Sequence, residues 1–197
     1  MNNRGFTLLE MMVAVTIFTL VMGTLFTLSL TFANTAEIQE LRIVNNDEAR
    51  RMFLSLTPLI RQASRSSINW NELPGDRLTF QMATDNDGNG FAINATGDIE
   101  LTGQVAIERD RTDANGDGIT MSQLVYIDDT GNARVLANGL QEDPAPATAS
   151  IDIPDGVGFW VAPQGAGVQV TVRAEGTTRR GRVFTTQVSE FILPRNN

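Results

Sequence analysis

The run from Arg4 to Phe32, RGFTLLEMMVAVTIFTLVMGTLFTLSLTF, constrains the fold more than any other stretch, because after Gly5 it is an almost unbroken apolar run whose only charge is Glu10. About 20 apolar residues rising 1.5 Å each cross the hydrocarbon core of a bilayer, and this run is longer. Arg4 and the amino terminus place positive charge on the leading side, so the pattern predicts a cytoplasmic N-terminus with everything after Thr35 on the far side. A secretory signal would have an apolar region of about 7–15 residues closed by a small-x-small site. Leu30-Thr31-Phe32-Ala33 is a poor one.

Glu10 is the misfit. A carboxylate at the centre of a membrane helix costs about 2.5–3.5 kcal/mol on insertion scales, so it needs either the headgroups within reach or a partner. The local string Gly5-Phe6-Thr7-Leu8-Leu9-Glu10 resembles the cleavage and methylation site of the type IV pilin and type II secretion pseudopilin superfamily. The resemblance implies that a prepilin peptidase cuts after Gly5 and methylates the amino group of Phe6. It implies also that Glu10 meets the free N-terminus of a neighbouring subunit in a filament. Such a pairing offsets part of the desolvation that either charge faces alone.

Removing the leader and the apolar run leaves about 160 residues of the 197, enough for one domain with a core. The net charge of -8, with the basic residues scattered apart from Arg179, Arg180 and Arg182, argues against nucleic acid as partner. The chain has neither Cys nor His. That removes disulfides, thiolate chemistry and the commonest general base, and leaves oxygen ligands as the plausible metal chemistry. There is no Walker-type loop, and adjacent acids such as Asp128-Asp129 do not form a converging acid–base pair. The sequence therefore reads as a non-enzyme.

Helical spacing continues past the apolar run through Ile38, Leu41, Val44 or Asn45, Ala49, Met52, Phe53, Leu56, Leu59, Ile60 and Ala63, with charges on the other face. Asn34-Thr35 and Gly23 are points where this helix loosens. Pro58 predicts a kink, or a restart with Thr57 as N-cap. A loop follows over Ser64–Gly75. Strands are then expected at Leu78–Ala83, Phe91–Ala95, Ile99–Glu108, Thr120–Ile127, Ala133–Ala137, Ser150–Ile153, Gly158–Val161, Val168–Ala174 and Val183–Leu193. Asp129–Asn132 reads as a hairpin turn, Glu142–Ala147 as a surface loop, and Arg179-Arg180-Gly181-Arg182 as a basic turn between the last two strands. Of Phe159 and Trp160, alternation puts one in the core and the other at the surface. The fold class is α+β, with a long helix, half membrane-spanning and half amphipathic, packed on an antiparallel β head. The layout is leader 1–5, membrane helix 6–33, amphipathic helix 34–63 and β-rich head 64–197.

Two loops have the spacing of metal ligands. Asp85, Asp87 and Asn89 before Gly90, and Asp113, Asn115 and Asp117 before Gly118, occupy positions 1, 3 and 5 of an EF-hand-like loop with glycine at 6. Position 12, which needs a bidentate Glu, holds Thr96 or Leu124, so Ca2+ would need a further ligand from elsewhere, with Asp110 and Asp128 the candidates. Asx-Gly turns between strands are the simpler reading of both loops. No cofactor is required by the sequence, and Ca2+ is the candidate ion.

The resemblance implies a minor pseudopilin of the type II secretion pseudopilus, most similar to the J-type subunits in its β part and in the closing Phe191–Asn196. Its partners would be other pseudopilins or pilins in a hetero-oligomeric filament, the prepilin peptidase, an inner-membrane assembly platform and membrane lipid. Its place would be the bacterial inner membrane, with the head in the periplasm. A minor pilin of a type IV pilus is the alternative within the superfamily. A membrane-tethered periplasmic calcium-binding module is the alternative outside it.

Overall fold

A computed structural model describes residues 7–141 and 157–194. Gly5, Phe6, the Glu142–Ala147 loop, the expected strand at Ser150–Ile153 and Arg195-Asn196 lie outside these residues. The chain forms two compact units, residues 1–41 and 42–197. It is α+β, as the periodicities predict.

Helix α1 runs over Leu8–Gln62, 55 residues. Its first part is the apolar run, and large side chains from Leu8 to Phe32 are exposed all round. By length and composition α1 is apolar enough to cross a membrane, with a mean hydropathy of 2.1 over its most apolar 18 residues, none of them buried. The threonines here satisfy their own hydroxyls. Thr16, Thr19, Thr24, Thr27, Thr31 and Thr35 each donate to a carbonyl three or four residues back, at 2.7–2.9 Å. The helix continues through Asn34-Thr35 and Gly23.

In the second unit, Asn45, Ala49, Met52, Phe53, Leu56 and Ile60 are the buried positions of α1, the expected stripe. Of the two residues that the spacing left open, Asn45 faces in and Val44 is exposed. The reason is local. Asn45 Nδ2 donates to the Phe184 carbonyl at 2.9 Å. Opposite it, Gly176 has no side chain, and a Cβ there would lie 2.6 Å from Asn45 Oδ1. Pro58 does not restart the helix, which runs on to Gln62 with Thr57 inside it. Proline removes one bond, to the Leu54 carbonyl. That turn lies on the outer side, where Leu54 and Pro58 are exposed, while Met52, Phe53, Leu56 and Ile60 are held by the core.

After α1 the loop over 64–75 contains two 3-10 turns, Arg65–Ser67 and Trp70–Glu72. Four antiparallel strands follow in order: β1 (Arg77–Phe80), β2 (Val105–Arg109), β3 (Gln123–Ile127) and β4 (Ala133–Asn138). A second antiparallel sheet is formed by β5 (Phe159–Gln164), β6 (Gly167–Thr177) and β7 (Val183–Ile192). Single bridges tie the sheets together at Gly75–Val161 and Leu140–Ala174. Both turn expectations hold: Asp128–Asn132 closes β3 on β4, and Thr178–Arg182 closes β6 on β7. Tyr126 and Arg134, directly opposite across β3 and β4, stack with the guanidinium 4.7 Å from the ring centre.

The core lies between α1 and both sheets. Met52, Leu56 and Ile60 meet Leu78, Phe80, Ile107 and Leu124 from the first sheet and Phe159, Val161, Val170 and Val172 from the second. Contrary to alternation, Phe159 and Trp160 are both buried. Phe159 joins the main core, while Trp160 forms a separate cluster with Val157 and Ala162 on the other face of β5. That strand is covered on both sides, so one-sided alternation fails there.

The expected strand at Phe91–Ala95 is absent, and that at Ile99–Glu108 begins only at Val105. Residues 83–101 pair through single bridges, Ala83–Leu101 and Ile93–Ile99. Phe91, Ile93 and Ile99 are exposed and pack on no core among the described residues. Asn94 Oδ1 takes the amides of Thr96 and Asp98, which a ladder would otherwise use. β3 starts at Gln123 rather than Thr120, because Met121 has φ +66.

Candidate functional site

The start of α1 is a closed hydrogen-bond unit. Thr7 is the N-cap: its Oγ1 accepts the Glu10 amide at 3.2 Å, and the Glu10 carboxylate accepts the Thr7 amide at 2.9 Å and the Thr7 hydroxyl at 3.0 Å. This reciprocal arrangement is the capping box, which satisfies two of the amides that the first turn of a helix leaves without carbonyls. The signal for it, Thr7-x-x-Glu10 ahead of an apolar run, was present in the sequence. Within one chain, then, the partner of Glu10 is Thr7, and its negative charge sits at the positive end of the helix dipole. Glu10 is exposed, as are the apolar residues that follow it.

The two Asp/Asn/Gly loops are built alike. In the first, the amides of Gly88, Asn89 and Gly90 donate to the Asp85 carboxylate, Asn89 N donates to Asp87 Oδ1, and Phe91 N donates to Asn89 Oδ1. In the second, Gly118 N donates to Asp113 Oδ1 at 3.1 Å, Asp117 N to Asn115 Oδ1, and Ile119 N to Asp117 Oδ1. The glycine at position 6 has φ +86 in one loop and +82 in the other, the left-handed conformation that this turn demands. These bonds favour the ionised acids. The Asp85 pKa is lowered chiefly by the Gly90 amide, and that of Asp117 chiefly by the Gln123 side chain and then the Ile119 amide.

The structure supplies an acid that the sequence reading missed. Carboxylate oxygens of Asp85, Asp87 and Glu100 lie within 4.8 Å of one another. Glu100 also accepts the amides of Asn86 and Asp87, so it closes the loop from the returning segment. It stands outside the motif, brought in by the Thr84–Glu100 and Glu100–Ala92 backbone bonds, which only folding reveals. Three converging carboxylates are the donor set of a hard cation.

At the second loop no comparable trio of acids gathers among the described residues. Asp110 is buried beneath it, with Oδ1 accepting the Thr112 and Ala114 amides and Oδ2 lacking a hydrogen-bond partner among the described residues. Asn115 and Gln123 donate instead to Asp117 Oδ2. Leu124, at position 12, is fully buried in β3. Asp128 serves neither loop. It caps its own hairpin turn through Thr130 and Asn132, and its pKa is lowered chiefly by the Thr130 hydroxyl.

Two ion pairs lie away from the loops. Glu108 faces Arg77 directly across β1 and β2 at 3.0 Å, and burial nonetheless raises its pKa. Arg111 pairs with Asp76.

Neither a curated protein nor a solved structure matches the chain. Residues 1–26 match the family model described as Prokaryotic N-terminal methylation motif. That segment holds Gly5, Phe6, Thr7 and Glu10 and most of the apolar run, and the match supports a type IV pilin-like protein.

Proposed function

We propose that this protein is a minor pseudopilin, a structural subunit of the type II secretion pseudopilus. On this reading it is inserted in the bacterial inner membrane with its head in the periplasm, cut after Gly5 and methylated on Phe6. It then joins a filament of other pseudopilins through the exposed apolar part of α1. The observation that carries the reading is the methylation motif at residues 1–26 running directly into a helix whose large apolar side chains are exposed from Leu8 to Phe32. Glu10 then exchanges partners on assembly. The Thr7 amide and hydroxyl give way to the methylated amine of a neighbour, a charged donor in place of two neutral ones. The intact mass of the membrane-extracted protein from its host tests this. A chain lacking Met1–Gly5 and carrying one extra methyl is expected. An uncut chain refutes the processing, and co-purification with pilus subunits rather than secretion pseudopilins moves the protein to a type IV pilus.

The trio Asp85, Asp87 and Glu100 favours a second property, Ca2+ binding at the 85–90 loop with Asn89 as a further oxygen ligand; Asp113, Asn115 and Asp117 form the weaker candidate. Calorimetric titration of the full chain with Ca2+ tests it. Binding that Glu100→Gln weakens and Asp117→Asn leaves unchanged is expected, and the absence of binding at millimolar Ca2+ refutes it.

A further inference from the structure

β7 is an unguarded sheet edge. It pairs with β6 alone, so among the described residues its other side presents free backbone donors and acceptors. Edge strands are normally blunted by short length, lysine, proline or a bulge. β7 has ten residues, none of them Lys or Pro, and its register with β6 is unbroken. The edge at β4 differs, with six residues and a register shift against β3 at Leu124/Val125.

Beside β7 lies a cleft of about 940 Å³, walled by Val188 and Glu190 on the strand and by α1 on the other side. The helical wall carries Arg50, Leu54, Pro58 and Arg61. Arg50 and Arg61 are 11 residues apart, about three turns, so they share one face with Leu54 between them. Leu54 is 77% exposed, although its neighbour Phe53 is buried. Pro58 leaves the Leu54 carbonyl without its helical amide, so this wall also offers an acceptor. Neither arginine has an ion-pair partner among the described residues. The cleft thus carries two cations against one acid in a chain of net charge -8.

We propose that this cleft receives an extended segment of another polypeptide, which pairs with the open edge of β7 as an added strand. Its chemistry is set by the walls. An apolar centre covers Leu54 and Val188, and two carboxylates meet Arg50 and Arg61. Eleven helical residues rise about 16 Å, which an extended chain covers in about five residues, and only an even spacing keeps both side chains on the face towards α1, so the carboxylates stand four or six positions apart. Backbone pairing supplies affinity and the arginines supply selection, the division of labour of strand addition. A second copy of this chain fits less well, because its net charge matches the sign of the whole surface rather than complementing it. The inference rests on the head alone and is independent of N-terminal processing.

Fluorescence anisotropy on the full chain in lipid nanodiscs tests it. The probes are a peptide of about ten residues with a valine–threonine centre and two glutamates four apart, its lysine counterpart, and the glutamate peptide N-methylated on alternate amides. The glutamate peptide is expected to bind at least about fivefold more tightly than the lysine peptide, from two exposed charge contacts. The double variant Arg50→Glu/Arg61→Glu should invert that preference, and N-methylation should abolish binding. These side chains are exposed, so the variant keeps its fold. The proposal is overturned by equal binding of the two charged peptides, by a preference that survives charge reversal, or by full binding of the N-methylated probe. It is also overturned if no probe binds while the chain forms a dimer that the double variant disrupts, since the occupant is then a second copy.

Discussion

Gly176→Ala tests how α1 is seated on β6 and β7. The new Cβ would stand 2.6 Å from Asn45 Oδ1, closer than a carbon and an oxygen approach, so Asn45 must move. Asn45 is 3% exposed and bonded to the Phe184 carbonyl, and moving it leaves a buried amide without its partner. That loss is about 1–3 kcal/mol. Replacing glycine by alanine where the backbone permits it returns about 0.4–1 kcal/mol through the unfolded state, and Gly176 does not have a positive φ. The net expectation is a destabilisation of about 0.5–2 kcal/mol, or a fall in Tm of about 1–8 °C for a chain of this size. In an Asn45→Ala background the obstacle is gone, and the same change should be neutral or stabilising. The assay is thermal unfolding of the full chain and the three variants in detergent, followed by tryptophan fluorescence, since Trp160 is buried. The sign of the effect is diagnostic. If Gly176→Ala costs the same with and without the Asn45 side chain, the helix is not held by this contact and the reasoning fails.

Three further outcomes follow from the N-terminus and the loops. A bulky replacement, Gly5→Leu, should leave the chain uncut, read as intact mass, and normal cleavage would count against the peptidase assignment. Glu10→Val should leave processing intact but reduce recovery of the protein in sheared filaments. It also removes the carboxylate half of the Thr7 capping box, so Thr7→Val serves as control: equal loss of assembly in both variants would assign the defect to the helix cap rather than to an intersubunit charge. The third outcome concerns acid. Asp85, Asp117 and Asp128 have pKa values lowered from 3.8, so the stability that they lend to their loops is fully present above that value. It is lost as the pH falls through the lower folded values. Hydrogen exchange at Gly90 and Ile119, whose amides these acids accept, should therefore stay slow at pH 4 and quicken only in stronger acid; carboxylates found titrating above 3.8 would refute the account.

Much of the fold was legible where one physical rule acts alone. The stripe from Asn45 to Ile60 is helical spacing with one buried side, and the two hairpin turns follow from Asp, Gly and Asn at 129–132 and from Gly181 among arginines, each between β-rich runs. Reading failed where a second surface or a distant residue decided. Trp160 is buried because β5 is covered on both faces, which a two-residue period cannot announce. Phe91 and Ile93 have strand chemistry but pack on no core among the described residues, and the Asn89 side chain accepts the Phe91 amide and donates to the Ile93 carbonyl. At the loops, spacing located Asp85, Asp87 and Asn89, yet Glu100 reaches them through a chain reversal that leaves no local mark. Thr7 is the opposite case: its pattern with Glu10 was entirely local and went unread beside the more arresting charge.

The threonines of the apolar run have a consequence for traffic between environments. Because each hydroxyl is already committed to a carbonyl of its own helix, none has to find a new partner when the surroundings change from acyl chains to the flanks of other helices. Exposed Leu, Ile, Phe, Val and Met then make up most of what a neighbour meets, and they cling to lipid and to protein about equally. Moving such a rod from one apolar medium into another therefore costs its threonines nothing, and the polar toll gathers at one point near its end, the carboxylate of Glu10.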